Sequence, residues 1–103
     1  MPTNRWNKLH KFTGEKIGTW SHGHGNLNSS FYVKEVTNTN LTVETPKGTQ
    51  RVVTRADFEW GEEIWDDYIN GRIPRTVWQK SVNSTYIISL IHRLDSEAEA
   101  AAA

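Results

Sequence analysis

Residues 41–69 read LTVETPKGTQRVVTRADFEWGEEIWDDYI, and the hydrophobic period changes inside them. Leu41-Thr42-Val43-Glu44-Thr45 alternates apolar and polar, the mark of a half-buried strand. Pro46-Lys47-Gly48 turns the chain, because proline fixes φ and glycine permits the return. Thr49–Thr54 then reads as a further strand. Beyond Thr54 the period of two fails. At roughly 100° per residue, Phe58, Gly61, Ile64, Trp65, Tyr68 and Ile69 share one half of a helical wheel. Glu59, Glu62, Glu63, Asp66 and Asp67 fill the other half, with Trp60 at the seam. Thr54 stands three residues before Asp57, a short-armed capping box. Asn70-Gly71 supplies a C-cap that tolerates left-handed backbone. A hairpin that runs straight into a helix from about Ala56 to Ile69 sets the class as α+β.

Working toward the N-terminus, Phe31–Thr37 alternates again, with Phe31, Val33 and Glu35 on one face and Tyr32, Lys34 and Val36 on the other. Asn38-Thr39-Asn40 is the turn that completes a three-stranded antiparallel meander. A first strand is expected around Lys16–Trp20, and a loop over Ser21–Asn26, where Gly23, Gly25 and Asn26 resist regular structure. Before it, Thr13-Gly14 cuts short either a short helix or an extended arm.

Toward the C-terminus, Ile73-Pro74-Arg75 is an extended joint, and a short helical turn can follow through Lys80. Asn83 or Ser84 then caps a second helix whose Ile87, Leu90, Ile91 and Leu94 fall at i, i+3, i+4 and i+7. Tyr86 and Ile88 widen its apolar arc past half the wheel. The predicted architecture is a three- or four-stranded antiparallel sheet packed against two main C-terminal helices, in a single domain over residues 1–95. The Ala/Glu-rich residues 96–103 are either an extension of the last helix or an appended remnant.

The chain has 103 residues and no cysteine, which excludes disulfides and thiolate metal sites. No apolar run approaches the ~20 residues of a membrane span, and no signal peptide opens the chain, so a cytoplasmic location is expected. The net charge is zero, yet residues 1–56 carry eight Lys/Arg against three Asp/Glu and residues 57–103 carry four against nine. Either the halves attract each other within the fold, or the first half offers a basic face to a polyanion.

The candidate surfaces follow from this layout. Glu59, Glu62, Glu63 and Asp66 form an acidic helix face, either simply solvated or a docking surface for a basic partner. Trp6 and Trp20 are interleaved with Arg5, Lys8, Lys11 and Lys16. That mixture suits core or oligomer-interface packing, or a platform on which single-stranded nucleic acid stacks. Arg51 and Arg55 near Lys47 are phosphate contacts or salt-bridged charges. His22-Gly23-His24 has ligand-like spacing but no third ligand nearby in sequence, and reads as a loop.

Neither a metal nor a cofactor is expected. The chain shows no glycine-rich phosphate loop, nucleophile elbow, His-Glu-x-x-His or EF-hand pattern. The leading expectation is a non-catalytic binding module, homodimeric because its apolar arc exceeds what a small core absorbs. Nucleic-acid recognition by the basic half comes second, and a small enzyme using His22 and His24 third. A pocket that gathers polar side chains from different segments would be the deciding structural feature.

Thr13-Gly14, Thr54-Arg55-Ala56-Asp57-Phe58-Glu59 and Asn83-Ser84-Thr85-Tyr86-Ile87-Ile88 together resemble a pattern of uncharacterised small α+β proteins from bacterial mobile gene cassettes of the integron type, and of domains beside restriction-type nucleases. The resemblance spans about residues 12–94. Its motifs are caps and core positions, so it implies the fold, and it adds weight to a nucleic-acid or defence-related role.

Overall fold

The computed structural model describes residues 5–21, 25–80 and 83–102. Strands β1 (Lys16–Ser21), β2 (Gly25–Val36), β3 (Asn40–Glu44) and β4 (Gln50–Thr54) form one antiparallel sheet in the order β1-β2-β3-β4. Ile17, Phe31, Val33, Leu41, Val43 and Val53 line its inner face and are fully buried. The outer face is open, with Tyr32 39% and Val52 53% exposed.

Two local expectations need correction. The sheet is longer than the glycines suggested, because Ser21 pairs with Gly25 and Trp20 with Asn26. Cross-strand pairing there outweighs the local entropy that argued for a loop over Ser21–Asn26; His22-Gly23-His24 itself lies outside the described residues. The alternation from Phe31 also breaks. Val33 faces Val43 but Glu35 faces Thr42, so two steps of β2 match one of β3. Val36 is thereby brought opposite Leu41 on the core side, where it packs half-buried against the core. The backbone of Val33 is turned toward the segment before β1: Gly14 N–H donates to its carbonyl at 2.7 Å, and its own N–H donates to Glu15 O at 3.1 Å. Gly14 has φ +85°, a conformation that favours glycine and lets the segment turn into this bridge.

The first residues are helical. Helix α1 (Arg5–Lys8) continues as a 3-10 turn over Leu9–Phe12 and buries Trp6, Leu9 and Phe12. Helix α2 (Arg55–Ile69) begins where the period changed, with the Thr54 hydroxyl accepting from Asp57 N–H at 3.2 Å. Its Phe58, Gly61, Trp65 and Tyr68 face inward. A second 3-10 turn, Arg75–Lys80, brings Trp78 into the core, where its Nε1–H has no acceptor among the described residues. Helix α3 (Ser84–Ala102) lies against β1 and α2 and buries Ile87, Ile88, Leu90, Ile91 and Leu94. Side chains of this last segment also satisfy backbone groups of both edge strands. Asn83 Nδ2 donates to Val52 O at 3.0 Å, and Trp20 N–H donates to Ser89 Oγ at 3.0 Å. An edge strand with satisfied backbone is a poorer template for another chain.

The charge asymmetry is partly offset inside the molecule. Arg5 holds Asp95 through two 3.0 Å bonds and reaches Glu62 at 3.3 Å, while Lys11 meets Glu97 at 2.7 Å. These pairs join the basic beginning to the acidic end. Desolvation pulls the Arg5 guanidinium down, but hydrogen bonds and charge from Asp95 and Glu62 outweigh it and leave the group above its ordinary value. Residues 96–102 extend α3, and Glu97 also accepts from Arg93 at 2.9 Å.

Hydrogen bonds from Lys11 and then Arg93 hold the Glu97 carboxyl below its ordinary 4.5. A carboxylate depressed in the fold adds stability above that ordinary value and loses it as pH falls through the folded one. Glu97→Gln should therefore cost at most about 1 kcal/mol at pH 7, since the pair is on the surface. The two proteins should unfold at equal urea concentrations near pH 2. A difference that persisted there would show that the contact is not ionic.

Candidate functional site

The residues singled out in the sequence do not form one site. Trp6 is 1% exposed, donates Nε1–H to Thr37 O at 2.9 Å and meets Phe58 edge-on at 5.6 Å. It is core, not a contact surface, because α1 folds it under the helical layer. Trp20 is half-buried, stacked on His92 at 3.9 Å and 6.1 Å from Trp65. One face of its ring is thereby covered.

Arg55 pairs with Glu59 at 3.3 Å, donates to Asn38 O at 3.2 Å and sits 5.7 Å from the Trp6 ring centre. The acidic wall of α2 is partly neutralised. Glu59 faces Arg55, Glu62 is drawn in by Arg5 until its side chain is only 9% exposed, and Asp67 meets Arg72 at 2.7 Å. Glu63 and Asp66 remain exposed, and neither joins an ion pair among the described residues. Arg51 stands exposed and apart, on β4 opposite Val43.

Two premises change with these placements. Arg5, Lys11, Lys34 and Arg55 have carboxylate neighbours, so four of the eight cations of the first half are drawn into ion pairs within the fold. The apolar arc of α3 is absorbed by the sheet, α1 and α2, and Tyr32 and Val52 are the large hydrophobics exposed among the described residues. That arc leaves no surplus to argue for a second copy. Among the described residues no three His, Asp or Glu converge as metal ligands.

Polar side chains do converge at one end of the sheet. Thr19 of β1, Ser29 and Ser30 of β2, Thr45 and Pro46 after β3, and Thr85 and Tyr86 of α3 line a cleft of about 300 Å³. The placement of each has a local cause. β1 and β2 are antiparallel neighbours, and Thr19 Oγ1 lies 2.6 Å from Ser29 Oγ and 3.2 Å from Ser29 O. Thr45 opens the Pro46-Lys47-Gly48 turn, where its hydroxyl accepts from Thr49 N–H at 3.1 Å and Gly48 takes φ +89°. The first turn of α3 is started by Asn83 O, which accepts from the N–H groups of Tyr86 and Ile87. Tyr86 is fixed edge-on against Phe31 at 5.1 Å.

Thr19 is 5% exposed, whereas Ser30 and Tyr86 are half-buried at the wall. Among the described residues the hydroxyls of Thr85 and Tyr86 make no hydrogen bond, so their capacity is open to whatever enters. Isolated serines and threonines carry no spacing signal, and only the turn at Thr45-Pro46 and the cap before Thr85 were readable beforehand.

No family model, curated protein or solved structure matches the chain. Function is therefore read from the cleft. Among the described residues no helix is long and apolar enough to cross a membrane.

Proposed function

We propose that the chain is a non-catalytic binding module and that the hydroxyl-lined cleft is its recognition site. The observation that carries this reading is the convergence of Thr19, Ser29, Ser30, Thr45, Thr85 and Tyr86, hydroxyl-bearing residues from the sheet and α3, on one half-open cleft. Binding sites combine a concave shape with a few placed polar groups, and this cleft sits at the small end of the ~300–1,000 Å³ range of such sites. A hydroxyl becomes a nucleophile only beside a base that takes its proton. None of the seven lining residues is a His, Asp, Glu or Lys. The same set is well suited to hold a ligand, since each hydroxyl both donates and accepts. The reading needs only one copy of the chain.

Small probes of mixed chemistry, each added to the intact 15N-labelled protein, test it. Amide shifts should gather at Thr19, Ser30, Thr45 and Tyr86. Shifts confined to the Glu63–Asp66 surface would overturn the cleft as the site. Retention on single-stranded DNA that falls steeply with salt would instead favour nucleic-acid recognition.

A further inference from the structure

We infer that the cleft takes a small, uncharged, polyhydroxylated molecule of the size of one sugar ring. This rests on the binding-module reading and adds the chemistry of the ligand. Charge comes first. No lining residue is cationic or anionic, so a charged ligand would give up part of its hydration without gaining a counter-charge from the wall. A neutral polyol avoids that loss.

The donor–acceptor balance comes next. Thr19 Oγ1 lies within hydrogen-bond reach of both Ser29 O and Ser29 Oγ, and has one proton to give. If that proton goes to Ser29 O, Ser29 Oγ donates back and shows only lone pairs to the cleft. If it goes to Ser29 Oγ, the proton of Ser29 is free to donate. The pair can therefore present either a donor or an acceptor. Thr85 and Tyr86 carry the same two-sided capacity. Oxyanions only accept, and ammonium groups only donate. A molecule whose own groups are hydroxyls uses both senses.

Size and shape agree. At roughly 30 Å³ per water the cleft holds on the order of ten waters, room for a single ring. Pro46 and the ring of Tyr86, held by Phe31, are the apolar members of the wall. They suit the C–H surface that a sugar ring carries between its hydroxyls.

The test is an amide-shift titration of the intact chain with D-glucose, D-ribose and glycerol, and with sodium phosphate at matched ionic strength. The sugars should give saturable shifts at Thr19, Ser30, Thr45 and Tyr86, and phosphate should give none there. Thr85→Val and Tyr86→Phe each remove one hydroxyl at little change of shape. Each should weaken sugar binding about fivefold to tenfold, with the spectrum otherwise unchanged. If phosphate or an uncharged apolar probe saturates these amides while the sugars do not, the ligand class is wrong and the binding-module reading stands. If no probe moves them, both fail.

Discussion

Trp6→Ala should lower the stability by about 3–5 kcal/mol, the usual range for removing a buried aromatic side chain. The indole is 1% exposed and packs edge-on against Phe58, and its Nε1–H is tied to Thr37 O at 2.9 Å. Truncation would open a cavity between α1 and α2 and leave the Thr37 carbonyl without that donor. For a chain of this size the melting temperature should fall by well over ~10 °C. Trp6→Phe keeps most of the volume and loses the hydrogen bond, so it should fall by a smaller step and remain folded. Urea unfolding of both variants measures the pair. A Trp6→Ala protein within about 0.5 kcal/mol of the parent would mean that the ring lies on the surface, and the basic-aromatic contact reading would return.

The second large effect runs against helix propensity. At an exposed helical site, Gly→Ala stabilises by about 1 kcal/mol. At Gly61 of α2 an added Cβ would lie 2.5 Å from Ile87 Cγ2 and 3.1 Å from the Trp78 ring. Ile87 is fully buried and β-branched on α3, so its rotamer has little freedom to yield. Gly61→Ala should therefore destabilise by about 1–3 kcal/mol, the overpacking range. Ile87→Leu keeps the volume and removes the offending γ2 methyl. The double variant should recover part of the loss, a coupling that additivity would not give. A Gly61→Ala protein that melted higher than the parent would show that α2 and α3 do not approach this closely.

Gly61→Ala probes the helical layer that the amphipathic patterns foretold, whereas Trp6 lies on α1, which no such pattern announced. Phe58, Trp65 and Leu90 lie inside, as the 3.6-residue period placed them. Thr54 caps α2 through Asp57, and Gly71 takes φ +74° just past its end. The β-meander was legible for the same reason, since alternation and turn residues act over a few positions.

The misreadings share a cause of the opposite kind. Val36 changes face because β2 bulges between Val33 and Glu35 against β3, a register set by pairing with a strand that no window around Val36 contains. Trp6, interleaved with lysines, was open to both a core and a contact-surface reading because its acceptor, Thr37, is thirty-one positions away. Glu62 looked solvated until Arg5 closed over it.

The sequence by itself determined the α+β class, the caps, the turns and the buried stripes of α2 and α3, because propensity and periodicity act between near neighbours in the chain. The β2 bulge, the burial of Trp6, the pairing of the basic beginning with the acidic end, and the gathering of Thr19, Ser29, Ser30, Thr45, Thr85 and Tyr86 around one cleft were decided by the tertiary structure. Each depends on groups distant in sequence, and their meeting is set by how the whole core closes.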